Sequence, residues 1–395
     1  MEPAGRDKKT RLRLRLLLVT LTFIFSYALL VIPVRNHILL ERIQETPAGW
    51  DSGVTQADPQ MGYRMKPNST AREFYQDVQG PMTFHDEQGH RVPGPDEPQP
   101  PSQGPTLLVI GDSFSYGFGC SAAQTYPQVV ARELGMTLEN TAQPGWGLCQ
   151  MLATARERIP EEKPEIVILQ HSVWLAQRSM LTFAQSHVPI PTPYFTGDEK
   201  PLKIAPPQHE TTVFDYPFSS FQKSKGDLGT ELRFLLTCGG PFLIREDFRR
   251  FGSLLRRLTG STPPVAKDEG AAFFQTYAEI AELCRQNGSK LVIISIGFDQ
   301  PVPRSFFEDL GATVVDCQAD FEKDIEGKPT RQAHFLVHAV TAGEPPRVLD
   351  THYNARAHAL LATGTLRALN EESLKSNASV PGNHLTQQGL IDRKT

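Results

Sequence analysis

An uncharged apolar run over residues 16–34 opens the chain, directly after six basic residues, Arg6, Lys8, Lys9, Arg11, Arg13 and Arg15. Its length is close to the roughly 20 residues with which a helix crosses a bilayer core. The basic flank predicts that residues 1–15 stay in the cytoplasm. The run ends in Leu29-Leu30-Val31-Ile32-Pro33-Val34 with no small-residue cleavage pattern, which favours an uncleaved anchor over a removed signal peptide. Residues 35–102 are rich in Pro, Gly and Gln, with short strand-like pieces such as Met82-Thr83-Phe84, and close in a proline-rich stretch. This pattern predicts a membrane-proximal extension and stiff linker that partly packs on the domain beyond it.

From residue 103 the pattern changes. Thr106-Leu107-Leu108-Val109-Ile110, Glu165-Ile166-Val167-Ile168-Leu169-Gln170 and Leu291-Val292-Ile293-Ile294-Ser295-Ile296 are short continuous apolar runs, and Ala312-Thr313-Val314-Val315 is a fourth. Such runs suit strands buried on both faces. Helical segments are expected at 126–134, at 148–159 (stopping before Pro160), around Phe273, Tyr277, Ile280 and Cys284, and at 355–369. A shorter strand is expected at Leu138-Glu139-Asn140. Strands alternating with helices imply an α/β domain with a parallel sheet. Residues 176–265 break the alternation with many prolines and with Tyr194, Phe195, Phe214, Tyr216, Phe218 and Phe221, as a lid or separate lobe would. Residues 373–395 are polar and aperiodic, which predicts a disordered tail.

A formal net charge of -4 leaves no basic footprint for nucleic acid. The five cysteines, Cys120, Cys149, Cys238, Cys284 and Cys317, contain no C-x-x-C pair and so no zinc-knuckle or redox motif. A Cys120–Cys149 disulfide and two small buried thiols are both open readings. His334 and His338 lack the adjacent glutamate of an H-E-x-x-H zinc motif. Neither a metal nor another cofactor is expected. His358 reads as a helix-packing residue, and Trp146 and Trp174 as either pocket or core. Asn68, Asn287 and Asn377 each open a glycosylation sequon.

Two short motifs carry chemistry. Gly111-Asp112-Ser113 falls where a buried parallel strand ends, the edge at which open α/β sheets bind ligands. A serine there lies beside backbone N–H groups able to hold an oxyanion, although the same tripeptide is ordinary turn chemistry. Asp350-Thr351-His352 precedes the last helix. Its histidine is a base for the Ser113 hydroxyl, and its aspartate can fix the tautomer of that base. A hydroxyl needs such a base to act as a nucleophile near neutral pH. A helix N-cap, at Asp350 or Asn354, is the other reading of this motif, and it explains the aspartate but not His352.

Gly111-Asp112-Ser113-Phe114-Ser115-Tyr116-Gly117 resembles the first block of the SGNH/GDSL hydrolase family. Asn140-Thr141-Ala142-Gln143-Pro144-Gly145 resembles the second block, and Asp350-Thr351-His352-Tyr353-Asn354 the fifth. The blocks occur in family order over roughly residues 103–372, the insertion at 176–265 excepted. The resemblance implies a flavodoxin-like three-layer α/β/α domain and a serine esterase with Ser113, Asp350 and His352 as triad. It also implies an oxyanion hole from the N–H groups of Ser113 and Gly145. The substrate it implies is an acyl ester, O-acetyl groups on a cell-envelope glycan among them. With the anchor, the domain is expected outside the cytoplasm (in the periplasm, if the cell is Gram-negative).

Two positions depart from the pattern. The family's third-block asparagine, a side-chain donor to the oxyanion, is missing from Leu169-Gln170-His171-Ser172-Val173-Trp174-Leu175-Ala176-Gln177, where His171, Ser172 and Gln177 are the candidate replacements. Ala142 stands where the second block has its first glycine. A missing oxyanion donor costs on the order of 10²–10³ in rate, so a fold retained for binding after loss of chemistry is the rival reading. An O-acyltransferase using the same serine is another, although acetylating relatives carry the Asp-His block ahead of the serine. A lipase acting on its own membrane would need an amphipathic surface segment, and the sequence offers none that stands out.

Overall fold

The computed structural model describes residues 4–45, 54–75, 78–183, 191–196, 201–207, 228–244, 247, 267–297, 302–326, 334–339 and 347–378. Its N-terminal part is one long helical rod: α1 (Ala4–Ser26), a π-helical turn at Tyr27–Val31, and α2 (Ile32–Glu45). Residues Thr10–Leu39 are long and apolar enough to cross a membrane, and almost none of that surface is covered by protein.

The region expected as a spacer contains two antiparallel sheets. β1 (Thr55–Asp58) pairs with β2 (Gly62–Met65), and β3 (Thr70–Tyr75), β4 (Val78–His85) and β5 (Arg91–Val92) form a three-stranded sheet. These strands bury polar side chains, Glu73, Thr83, His85 and Arg91 among them. An apolar-polar pattern does not reveal strands of that kind.

The central sheet has five parallel strands: β6 (Thr106–Ile110), β7 (Thr137–Asn140), β8 (Ile166–His171), β11 (Lys290–Ser295) and β12 (Thr313–Val315), in spatial order β7-β6-β8-β11-β12. Counting only these strands in chain order, this is the flavodoxin-like arrangement 2-1-3-4-5. Alternate residues of each apolar run enter opposite layers, as the period of two requires. Leu108, Ile110, Val167, Leu169, Leu291 and Ile293 face one core, and Leu107, Val109, Ile168, Val292 and Ile294 the other. The short helix α3 (Ser113–Tyr116) follows β6, and α4 (Tyr126–Leu134) leads into β7. The first core is covered by α5 (Leu148–Glu162) and α8 (Lys267–Asn287), the second by α4 and α11 (Ala355–Ala378).

The remaining described elements are α6 (Trp174–Arg178), the hairpin β9 (Tyr194–Thr196) with β10 (Lys203–Ala205), α7 (Leu228–Phe234), α9 (Arg304–Asp309) and α10 (Gln318–Asp324). A second hairpin joins β13 (Leu336–Ala339) to β14 (Arg347–Tyr353). Three boundaries differ from expectation. Pro160 lies inside α5, whose last turn is held by Arg158 pairing with Glu161 at 2.7 Å and Glu162 at 3.0 Å. The last helix runs on to Ala378 because Glu371, Glu372, Leu374 and Lys375 are good helix formers, and Glu372 reaches Lys290 at 2.9 Å. The rest of the expected tail, and Phe214, Tyr216, Phe218 and Phe221, lie outside the described residues. Asp350 and His352 precede the last helix as expected, and they stand on a strand, β14, that the sequence pattern does not predict.

Candidate active site

Ser113 begins α3 three residues past the end of β6, one of the two strands that flank the point where the sheet order reverses. The Asp112 side chain caps this helix by accepting from the Phe114 N–H at 3.0 Å. A four-residue helix cannot hold itself in place, so its position comes from tertiary bonds to Asp112. That carboxylate has no solvent exposure. Oδ1 also accepts from Gln170 Nε2 at 2.8 Å, and Oδ2 accepts from Trp174 Nε1 at 2.8 Å and Arg178 Nη1 at 2.9 Å. Gln170 Oε1 in turn accepts from the Asp112 N–H at 3.0 Å and from Ser115 Oγ at 2.7 Å. Trp174, open between pocket and core in the sequence, serves here as a donor to Asp112, and no sequence motif marks Gln170 or Arg178 as parts of the site. A signal exists in one case: Gln170 is a polar residue inside an otherwise apolar strand run.

His352 arrives from the far end of the chain. On β14, residues two apart share a face, so Asp350 and His352 point the same way. His352 Nε2 lies 2.7 Å from Ser113 Oγ, Nδ1 makes a short hydrogen bond to Asp350 Oδ1, and the His352 N–H donates to the same oxygen at 2.8 Å. The imidazole is flanked by Phe114 and Phe118, each with ring centroids 4.9 Å away. Burial works to raise the Asp350 carboxyl, but the hydrogen bonds and charge of His352 outweigh it and hold the group below the ordinary carboxylate value. Asp350 is therefore a charged acceptor on Nδ1, which leaves Nε2 to face the serine hydroxyl.

The loop after β7 lies beside this turn. Thr141 N–H donates to Val109 O at 3.0 Å, Gln143 N–H to Gly111 O at 3.2 Å, and Asn140 Nδ2 to Ser115 O at 3.0 Å. Gly145 in this loop has φ +81°, a conformation that glycine adopts without a Cβ penalty. The antiparallel sheets of the N-terminal region brace both loops. Tyr63 Oη donates to Pro144 O at 2.5 Å, and the Met65 N–H donates to Gln143 Oε1 at 3.1 Å. Arg91 donates to Tyr116 O at 3.3 Å, to Gly117 O, and to Cys120 O at 2.6 Å, with its guanidinium 4.7 Å from the Tyr116 ring centroid. Glu73 pairs with Arg91 at 3.7 Å and accepts from the Gly119 N–H at 3.0 Å.

Two of the three candidates for the missing third-block donor, His171 and Ser172, are turned to other work. His171 Nδ1 is 3.2 Å from Tyr277 Oη, in a cluster with Phe273 and Phe307. Tyr277 Oη donates to Gln170 O at 3.1 Å, so His171 carries its proton on Nδ1 and its buried Nε2 has no partner among the described residues. Burial pushes this imidazole down to about 4. Ser172 Oγ donates to Ile296 O at 2.8 Å, and the half-exposed residue next in the chain is the apolar Val173.

Other candidates resolve as structure. Cys120 and Cys149 are buried free thiols with no bond between them, and burial pushes the Cys120 thiol up to about 12. His358 accepts from the Tyr126 N–H at 3.3 Å and is pushed down to about 3 by burial. His334 bonds Asp324 at 2.8 Å, while His338 faces Leu336 O at 2.8 Å. Trp146 is buried next to Gly145.

No protein-family model matches this sequence, and no curated protein is similar to it. Among solved structures it is similar to TesA, at 14% identity and a TM-score of 0.33 over 67% of this chain and 98% of the other. LAE5, an alpha/beta hydrolase enzyme from the metagenome of Lake Arreo, Spain, is 14% identical with a TM-score of 0.35 over 68% and 95%. A catalytic mutant of Axe2, an acetylxylan esterase from Geobacillus stearothermophilus, is 15% identical with a TM-score of 0.34 over 69% and 96%. Likeness at this level assigns no activity to the chain.

Proposed function

We propose that this chain is a serine ester hydrolase of the SGNH/GDSL type, held at a membrane by its N-terminal helix. One observation carries the reading: a serine hydroxyl, an imidazole and a carboxylate stand in series, with Nε2 2.7 Å from Oγ and Asp350 on Nδ1. His352 Nε2 takes the Ser113 proton as Oγ attacks the acyl carbonyl. Asp350 keeps the proton on Nδ1 and stabilises the imidazolium that forms. The N–H groups of Ser113 and Gly145 receive the oxyanion. His352 then gives its proton to the departing alcohol, leaving an acyl ester on Ser113. Water attacks that ester with His352 again as base, which releases the acid and restores the hydroxyl. With His171 and Ser172 bonded elsewhere, neither supplies the family's side-chain donor, and an oxyanion held by the backbone N–H groups of Ser113 and Gly145 carries a cost in rate.

The substrate class is an acyl ester, with O-acetyl groups on a cell-envelope glycan as the case to test first. If a sugar hydroxyl replaces water in the second half, the same residues make an O-acyltransferase. The basic residues before the helix put the domain outside the cytoplasm.

A fluorophosphonate probe on the detergent-solubilised full chain, with the adduct located by mass spectrometry, tests the reading. An adduct on Ser113, absent in Ser113→Ala and His352→Ala, is expected. A folded protein without any adduct would mean a fold kept for binding after its chemistry lapsed.

A further inference from the structure

The helix α2 buries Ile32, Asn36 and Leu39, positions spaced along one helical face. They are covered by the segment 228–244, whose buried side presents Phe234, Gly239, Gly240 and Leu243. Gly239 sits so close that a Cβ there would meet Asn36 Oδ1 at 2.0 Å. Small residues allow helices to approach in this way. Asp247, just beyond the segment, bonds both Tyr27 and Arg35 on the rod. His37 approaches Glu231 at 3.6 Å. Phe242 packs edge-on against Phe183 with ring centroids 5.8 Å apart, tying the pair to the α/β domain.

Away from the rod the segment leaves apolar side chains uncovered, with Arg233 exposed at its start. Leu232, Leu236 and Ile244 are exposed, Leu236 at 67%. The rod on which it docks also exposes Phe23, Phe25, Leu30 and Val34. Residues 234–244 contain no charge, yet at about 1.5 Å per residue they reach only about half of a bilayer core. Glu231, Arg233 and Asp247 bound the run with polar groups. A short apolar face flanked by charge and docked near the outer end of an anchor suits the headgroup–acyl boundary rather than the bilayer interior.

We infer that residues 228–244 are a second membrane-contacting element, docked on the anchor through the Asn36–Gly239 contact, with Leu232, Leu236 and Ile244 seated in lipid. The partner is a lipid surface. The inference rests on the N-terminal helix being an anchor, and the experiment separates the two. Spin labels are placed by Phe23→Cys, Leu236→Cys or Phe274→Cys on the full chain with Cys238→Ser, in vesicles of phosphatidylethanolamine and phosphatidylglycerol. Collision with oxygen is compared with collision with an aqueous nickel chelate. Labels at 23 and 236 are expected to favour oxygen, while the label at the exposed Phe274 on α8 favours the chelate. A label at 236 as accessible to the chelate as that at 274, with 23 still in lipid, overturns the docking and leaves the anchor standing. A label at 23 in water overturns the anchor and the inference with it. Gly239→Leu should move the 236 label toward the chelate pattern and leave label 23 unchanged. An unaltered 236 label would overturn the role given to the Asn36–Gly239 contact.

Discussion

His352 Nε2 lies 2.7 Å from the hydroxyl of Ser113, a residue 239 positions earlier in the chain. Asp350 fixes the other end of the imidazole from the same strand face. Asparagine at position 350 keeps the shape but offers an N–H₂ or a weaker acceptor to Nδ1, favouring the wrong tautomer. Asp350→Asn should lower kcat by about 10³–10⁴ with little change in KM. Steady-state kinetics on a small acyl ester measure this, and a loss below tenfold would remove Asp350 from the mechanism.

All four partners of the Asp112 carboxylate are donors: Phe114 N–H, Gln170 Nε2, Trp174 Nε1 and Arg178 Nη1. An amide at this position has nowhere to direct its own N–H₂. Gln170 cannot turn to accept it without losing its bonds from the Asp112 N–H and Ser115 Oγ. Asp112→Asn should therefore cost about 3 kcal/mol of stability, and should also slow the chemical step because the bonds from Trp174 and Arg178 that hold the turn before Ser113 are lost. Chemical denaturation read beside kcat tests both, and an unfolding midpoint at the native value would contradict the account.

The parallel strands were legible because each is a run of apolar residues buried on both faces, and the serine of Gly111-Asp112-Ser113 because it follows one of them, whereas Asp350 and His352 were legible from their spacing and not from the strand that carries them. Expected and observed strands agree to about one residue for β6, β7, β8, β11 and β12. The braces were not legible. Glu73, His85 and Arg91 lie in a polar, Pro/Gly-rich stretch with no periodicity to mark them as buried, and their partners are in the loop after Ser113: Arg91 bonds the carbonyls of residues 116, 117 and 120, Glu73 accepts from the Gly119 N–H, and His85 bonds the Tyr116 hydroxyl. The β13–β14 hairpin escaped notice because Arg347-Val348-Leu349-Asp350-Thr351-His352-Tyr353 alternates weakly. The 228–244 segment shows no amphipathic period because one apolar side meets the rod and the other is exposed.

Arg91 is a brace whose removal should be felt twice. Its guanidinium satisfies carbonyls of the loop after Ser113 and neutralises Glu73, and both side chains are almost wholly buried. Arg91→Ala leaves Glu73 as a buried charge without its counter-ion, which costs about 3–5 kcal/mol. Arg91→Lys restores the charge but cannot reach several carbonyls with one ammonium, so it should recover only part. The pair Glu73→Gln with Arg91→Met should be milder than Arg91→Ala alone. Thermal unfolding of the native chain and these three variants decides the matter: a double variant that loses as much as Arg91→Ala would sink the idea of a coupled pair.

Three buried imidazoles give the fold an acid limb. His85 and His171 are pushed down to about 4 and His358 to about 3, in each case chiefly by burial. A free histidine titrates near 6.5. Between that value and about 4 the unfolded chain binds protons that the fold refuses, so stability falls as pH drops through this window. At or above neutral pH these groups no longer make stability depend on pH. Each accounts for up to ~1.4 kcal/mol per pH unit. His171→Phe keeps the contact with Phe273 and Phe307 and leaves Tyr277 its bond to Gln170 O. That variant should lose about 2 kcal/mol less than the native chain between pH 7 and pH 5. Unfolding midpoints measured at pH 7, 6 and 5 give the comparison, and parallel curves for the two proteins would show that His171 is not held neutral by its burial.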